Sequence, residues 1–295
     1  MSKQVRSSRK TVRDIARQKG ATPLVCLTAY TAPVARVADE HADIILVGDS
    51  LGMVLYGMDS TIPVTLDMMI AHGAAVVRST SRALIVVDMP FGTYQESPQQ
   101  AYRNAVRILK ETGAAAVKIE GGQEMADSCA FLTARGIPVL GHIGLQPQSV
   151  HSEGGYRVKG RHEAEEEKII KDADALVQSG SFGIVLECVL PAIATAVTER
   201  VSVPTIGIGA SAQCDGQILV TEDMLGMNGA SVPGFVERYA SFQDDMGVAL
   251  GRYAQDVKNR TFPAARHCYA TSPSSSGSWN DAAESKISPR KKAAS

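Results

Sequence analysis

Four carboxylates close apolar runs in this chain. Asp49 ends IILVGD, Asp88 ends LIVVD, Glu120 ends VKIE and Glu187 ends IVLE. A helix-bearing segment follows each. If the runs are parallel strands of one sheet, the four acids meet at one end of it. Left uncompensated there, they would repel one another and resist ionisation, because a desolvated charge is costly. A divalent cation resolves the conflict. Oxygen donors without clustered His or Cys favour Mg2+ or Mn2+ over zinc. The competing reading makes each acid a helix cap or the partner of a local basic residue. It accounts for one acid more readily than for four.

Lys118 lies two residues before Glu120, so the two share a strand face. A lysine inside an apolar strand is paired or functional. It pairs with an interior carboxylate, stabilises an anionic substrate, or does both. His142 ends a fifth run and faces either the same mouth or a hydrogen bond in the core. Two connections, residues 50–66 and 145–161, are long for the loops that follow strands. The second carries Gly154, Gly155 and Gly160 with Arg157, Lys159 and Arg161. It is a lid, an anion-binding loop or a solvated surface loop.

The elements that must position these residues are readable. Strand candidates are Leu24–Tyr30, Ile44–Asp49, Ala83–Asp88, Ala115–Glu120, Ile137–Gly144, Gly183–Cys188, Val203–Gly209 and Gln217–Glu222. Runs apolar at every position are those of strands buried on both faces. The spacers 31–41, 67–80, 97–111, 124–135, 162–179 and 191–199 carry helical patterns. Ser97-Pro98 is a cap followed by a first-turn proline, and Gly113, Gly136 and Gly180 are stop signals. Eight strands with mostly helical spacers predict an α/β fold, a (β/α)8 TIM barrel, whose active site lies at the C-terminal strand ends. No GxGxxG follows the first strand, against dinucleotide binding. Gly207-Ile208-Gly209 reads as a tight turn. On alternation, Cys188 falls on the face opposite Glu187.

The 295 residues include 30 basic and 31 acidic side chains, so no global charge points to nucleic acid. No apolar run reaches the ~18 residues that span a bilayer, against a membrane partner. Five scattered cysteines without a CxxC pair fit reduced thiols and a cytoplasmic location. The expected layout is a basic extension over 1–10, a catalytic barrel over 11–268 and a disordered Ser-rich tail over 269–295. The basic start is either a transit peptide or, the reading preferred here, an amphipathic helix over 11–19 capped by Thr11.

Seven segments make the chain resemble a known family. They are VGDSLGMVLYGMDSTIPVT (47–65), VVDMPFGTY (86–94), VKIEGG (117–122), GHIGLQPQSV (141–150), GGYRVKGR (154–161), LECV (186–189), and IGIGA with CDGQILV (206–220). With TAYTAPVAR (28–36), they resemble the ketopantoate hydroxymethyltransferases in order and spacing, from about Thr11 to about Pro263. The resemblance implies a (β/α)8 barrel of the phosphoenolpyruvate/pyruvate superfamily. It implies transfer of a hydroxymethyl group from 5,10-methylenetetrahydrofolate to 3-methyl-2-oxobutanoate, giving 2-dehydropantoate in pantothenate biosynthesis. Carried over by motif, Asp49, Asp88 and Glu120 match the Mg2+ site, with Glu120 direct or through water. Asp49, Ser50, Asp88 and Lys118 match the substrate contacts, and Glu187 matches the catalytic proton acceptor. A homodecamer, a pentamer of dimers, in the bacterial cytoplasm is also implied. The chemistry agrees: a metal chelated by a 2-oxo acid stabilises an enolate, and a nearby carboxylate removes the C3 proton. Ser50 contacts the substrate carboxylate or caps the turn after Asp49.

Two features depart from the family pattern, Ala210-Ser211 where a second glycine is expected and the Ser-rich tail. Two rivals stand beside the transferase. A lyase or mutase of the same superfamily would need a reactive cysteine in a KKCGH-like loop, which this chain lacks. A binding protein on a decayed barrel would not be expected to keep Asp49, Asp88, Lys118, Glu120 and Glu187 together.

Overall fold

The computed structural model describes residues 9–229 and 232–269. Nearly all of the expected tail, including Trp279, lies outside the described residues, as do residues 1–8 of the basic extension.

The eight expected strands all form. They are β1 (Leu24–Thr28), β2 (Ile44–Val47), β3 (Leu84–Asp88), β4 (Ala116–Glu120), β5 (Val139–Gly144), β6 (Gly183–Glu187), β7 (Thr205–Ile208) and β8 (Gly216–Leu219). Each pairs in parallel with its sequence neighbours, and β8 returns to β1, closing a barrel in the order β1 to β8. The helices are α1 (Val12–Ala16), α2 (Ala32–Ala38), α3 (Leu51–Val54), α4 (Leu66–Ser79), α5 (Pro98–Thr112), α6 (Ala126–Thr133), α7 (Val150–Glu153), α8 (Glu163–Gln178), α9 (Pro191–Arg200), α10 (Thr221–Met224) and α11 (Phe242–Lys258).

Local chemistry places the boundaries. Thr11 caps α1 in a capping box with Asp14, and the helix expected over 11–19 forms but is confined to Val12–Ala16. Ser97 accepts from the Gln100 amide ahead of Pro98, and α5 stops at Gly113, whose φ of 78° suits a glycine. Alternation divides the core in two. Inward residues such as Leu46, Val86, Leu140, Val185 and Ile206 fill the barrel, and Ile15 of α1 joins them at the strand starts. Outward residues such as Ile45, Ile85, Val117 and Ile184 pack under the helices.

The compact unit holding the barrel runs to Gln243, and a second begins at Asp244. The helix α11 was not foreseen. All its residues are exposed.

Candidate active site

The inward face of each strand carries its chemistry to the C-terminal mouth. Asp88 on β3 sits in register with Lys118 on β4, Glu120 with His142 on β5, and Gly144 with Glu187 on β6. All five functional side chains line one cavity of about 860 Å³, with Asp49 and Ser50. The two long connections also line it, through Met53 and Met58 on one side and Tyr156 and Arg157 on the other. They meet where the Tyr156 hydroxyl stands 3.9 Å from Met53 Sδ.

Asp49 lies beyond the last paired residue of β2, and a turn rather than the strand brings it inward. Its amide donates to Asp88 Oδ2 at 3.0 Å. Gly48 leaves room for the Ser50 side chain, because a Cβ there would stand 2.9 Å from Ser50 Oγ. Ser50 makes no cap bond. Its hydroxyl meets Tyr30 Oη at 2.7 Å instead.

Lys118 is the cation of the cluster. Its Nζ lies 3.3 Å from Asp88 Oδ1, 3.6 Å from Glu120 Oε1 and 3.0 Å from His142 Nδ1. On the far side, His142 Nε2 lies 3.3 Å from Glu187 Oε2. Both expected roles of His142, core partner and mouth residue, are therefore filled at once.

Burial first, and Asp88 second, push the Asp49 carboxyl up to about 7. Burial likewise raises Asp88 and Glu120, against the pull of Lys118. Burial alone would lower the Lys118 ammonium, but Asp88, Glu120, Asp49 and Glu187 together outweigh it and hold the proton on. Burial, then Lys118, lowers the His142 imidazole and keeps it neutral.

Three residues were missed. Gln148, in the long connection after β5, donates from Nε2 to Asp49 Oδ2 (2.8 Å) and to the Met89 carbonyl (3.0 Å). Its amide donates to Glu120 Oε2 at 3.0 Å. Tyr94 donates to Gln148 Oε1 at 2.7 Å and accepts from the Glu120 amide at 3.0 Å. Tyr30 is the third. Their motifs were quoted, but nothing in a local pattern says that a Gln and two Tyr fold onto distant acids.

The alternation reading of Cys188 is corrected. β6 ends at Glu187, and Cys188 turns with a φ of 49°, so it lines the cavity beside Glu187 rather than the opposite face. Burial, then Glu187, pushes its thiol up to about 11, the opposite of an activated nucleophile. Gly144, with a φ of 95°, holds this region close. A Cβ there would meet the Glu187 carbonyl at 2.3 Å.

Cation chemistry fits the donors. Asp88 Oδ1 is buried and accepts no hydrogen bond, with only the ion-pair contact to Lys118. Asp49 keeps Oδ1 clear of any hydrogen bond among the described residues. No group of three or more His, Cys, Asp or Glu among the described residues is arranged to hold a metal. Two carboxylates are nonetheless what Mg2+ commonly takes from a protein, with water and substrate oxygens completing its shell.

Barrel, strand-end acids and buried lysine define an α/β-barrel enzyme built to manage negative charge at one mouth. Solved structures share the fold at low identity. One is a phosphonopyruvate hydrolase (TM-score 0.58, 11% identity, 89% of this chain and 92% of that one). Another is 2,3-dimethylmalate lyase, described as a PEP mutase/isocitrate lyase superfamily member (TM-score 0.52, 16% identity, 89% and 90%). Phosphonopyruvate hydrolase has also been solved with oxalate and Mg2+ (TM-score 0.53, 13% identity, 88% and 93%).

The chain belongs to the ketopantoate hydroxymethyltransferase family, whose model matches residues 9–265. It is 59% identical over 269 residues to the 3-methyl-2-oxobutanoate hydroxymethyltransferase of Bordetella petrii, covering 91% of this chain and 98% of that relative. To the same enzyme of Rhodospirillum rubrum it is 59% identical over 263 residues, 88% and 95% of the two chains. It is thus a transferase of pantothenate biosynthesis. Among its described residues, no helix is long and apolar enough to cross a membrane.

Proposed function

We propose that the chain transfers a hydroxymethyl group from 5,10-methylenetetrahydrofolate to 3-methyl-2-oxobutanoate, with Glu187 as general base. The observation that carries this reading is the convergence of Asp49, Asp88, Lys118, Glu120, His142 and Glu187 on one cavity. Asp49 and Asp88 would hold Mg2+, each with an oxygen clear of hydrogen bonds, and Glu120 would contribute through water. When bound, Mg2+ supplies a Lewis acid that polarises the 2-oxo group and stabilises charge on the substrate oxygen.

The chain's own groups do the rest. Glu187 takes the C3 proton, and C3 then bonds the donor's methylene carbon as that carbon's bond to one folate nitrogen breaks and the nitrogen takes up a proton. Lys118, kept protonated, offsets the negative charge developing in a buried site. Ser50 and Lys118 contact the substrate carboxylate end. The neutral imidazole of His142 faces the Glu187 carboxylate at 3.3 Å. Cleavage of the donor's remaining C–N bond and addition of water release the hydroxymethyl product and tetrahydrofolate.

Self-association, and with it the proposed homodecamer, is in keeping with an apolar stripe on α11. On α11, Phe242, Met246, Leu250, Tyr253 and Val257 fall within one side of the helix and are 44–61% exposed. Copies of the chain would cover such a stripe. The test of the donor is direct: 2-dehydropantoate must form from the oxo acid and methylenetetrahydrofolate with Mg2+. No product from the folded protein would contradict the reading.

A further inference from the structure

Gln148 has no part in the chemistry just described, yet it is only 3% exposed and sits among the reacting groups. It belongs to the connection after β5 but binds the ends of three other strands. Its side-chain nitrogen holds Asp49 Oδ2 and the Met89 carbonyl, and its backbone amide holds Glu120 Oε2.

The direction of its carboxamide is fixed. The Glu120 amide donates to the Tyr94 oxygen at 3.0 Å, and the Tyr94 hydroxyl reaches two acceptors, Gln148 Oε1 at 2.7 Å and, farther off, the Glu120 carbonyl at 3.2 Å. Gln95 Nε2 adds a second donor to that oxygen at 3.2 Å. A flipped amide would lose these donors and set its oxygen against the Asp49 carboxylate and the Met89 carbonyl, two acceptors. Only one orientation satisfies every atom. In that orientation one oxygen of Asp49 is occupied and the other is not. The second amide hydrogen, spent on Met89, ties the residue after Asp88 into the same frame.

We infer that Gln148 is a positioning residue for the metal site, locked by Tyr94, which presents Asp49 as a one-oxygen ligand beside Asp88. Such partners of metal ligands typically carry about 10–100-fold of metal affinity or activity. The inference rests on the reading of Asp49 and Asp88 as metal ligands.

The test uses Mn2+ as the probe, with free ion counted by electron paramagnetic resonance against folded full-length protein. The variants are Gln148→Glu, which replaces the amide donor by an acceptor at nearly constant shape, and Tyr94→Phe, which removes the lock without touching Asp49. Gln148→Glu should weaken Mn2+ binding about 10–100-fold, and Tyr94→Phe about tenfold. In both, kcat should fall at saturating Mg2+ more than KM for the oxo acid rises. A purely structural role would lower the unfolding midpoint and leave Mn2+ affinity unchanged, which overturns the inference. If Gln148→Glu does not fold, Tyr94→Phe decides alone. Wild-type protein that binds no Mn2+ overturns the ligand reading beneath it, a result distinct from variants that bind like wild type.

Discussion

Lys118 Nζ stands 3.0 Å from His142 Nδ1, and this contact sets the tautomer of the imidazole. An ammonium only donates, so Nδ1 accepts. The ring proton is then on Nε2, which faces Glu187 Oε2 at 3.3 Å. The base of the proposed reaction thus stands at the end of a row of three groups from β4 to β6, the last of them a close approach outside hydrogen-bond geometry among the described residues.

His142 should therefore remain neutral, as the Nε2–H tautomer, below the ordinary histidine range. Burial and Lys118 both disfavour its charge. Nitrogen-15 NMR of the imidazole at about pH 6 reads this directly. An imidazolium signal there would contradict the assignment. The lowered value also means that acid takes stability away. The unfolded chain binds the proton first, so His142 costs stability as pH falls below about 6.5.

Replacing Lys118 by Met should destabilise the fold and abolish turnover. The ammonium is 4% exposed and faces Asp88 and Glu120 at 3.3 and 3.6 Å. Removing one partner of a buried pair costs about 3–5 kcal/mol. Because the folded lysine's proton is held more tightly than in the unfolded chain, its contribution is present at neutral pH while its carboxylate partners are ionised. It is lost as pH rises through the raised folded value. Urea unfolding at neutral pH measures the loss, and an unchanged midpoint would contradict the account.

Glu222 offers a second pH test. It is 2% exposed, its Oε2 has no hydrogen-bond partner, and burial, then Asp223, pushes its carboxyl up to about 7. A raised carboxyl favours the folded state fully at low pH. That advantage is lost as pH rises from about 4.3, the unfolded value, through about 7. Glu222→Gln removes the titration. The variant should gain about 2–3 kcal/mol relative to wild type between about pH 5 and pH 8. Parallel stability profiles for the two proteins would contradict the prediction.

Much of this site was legible in the sequence, for a physical reason. Within a paired strand, side chains alternate strictly, so Asp88, Lys118, Glu120 and Glu187 could be placed on the barrel's inner face from their positions alone. The rule fails where pairing stops. Asp49 and Cys188 each lie just beyond a strand, and a turn at each brings the side chain to the cavity. Gln148 and Tyr94 escaped because their partners lie far along the chain, and a buried amide has no sequence signature. The helix α11 was legible and went unread, since Phe242, Met246, Leu250, Tyr253 and Val257 recur at helical spacing.

The proposed reaction depends first on Glu187 removing the C3 proton of 3-methyl-2-oxobutanoate. Proton NMR in D2O with Mg2+, and with and without the folate, measures deuterium entry at C3 for wild type and Glu187→Gln. The account predicts Mg2+-dependent exchange in the wild type and none in the variant. Exchange that survives in Glu187→Gln, or is absent from folded wild type even with the folate present, would contradict it.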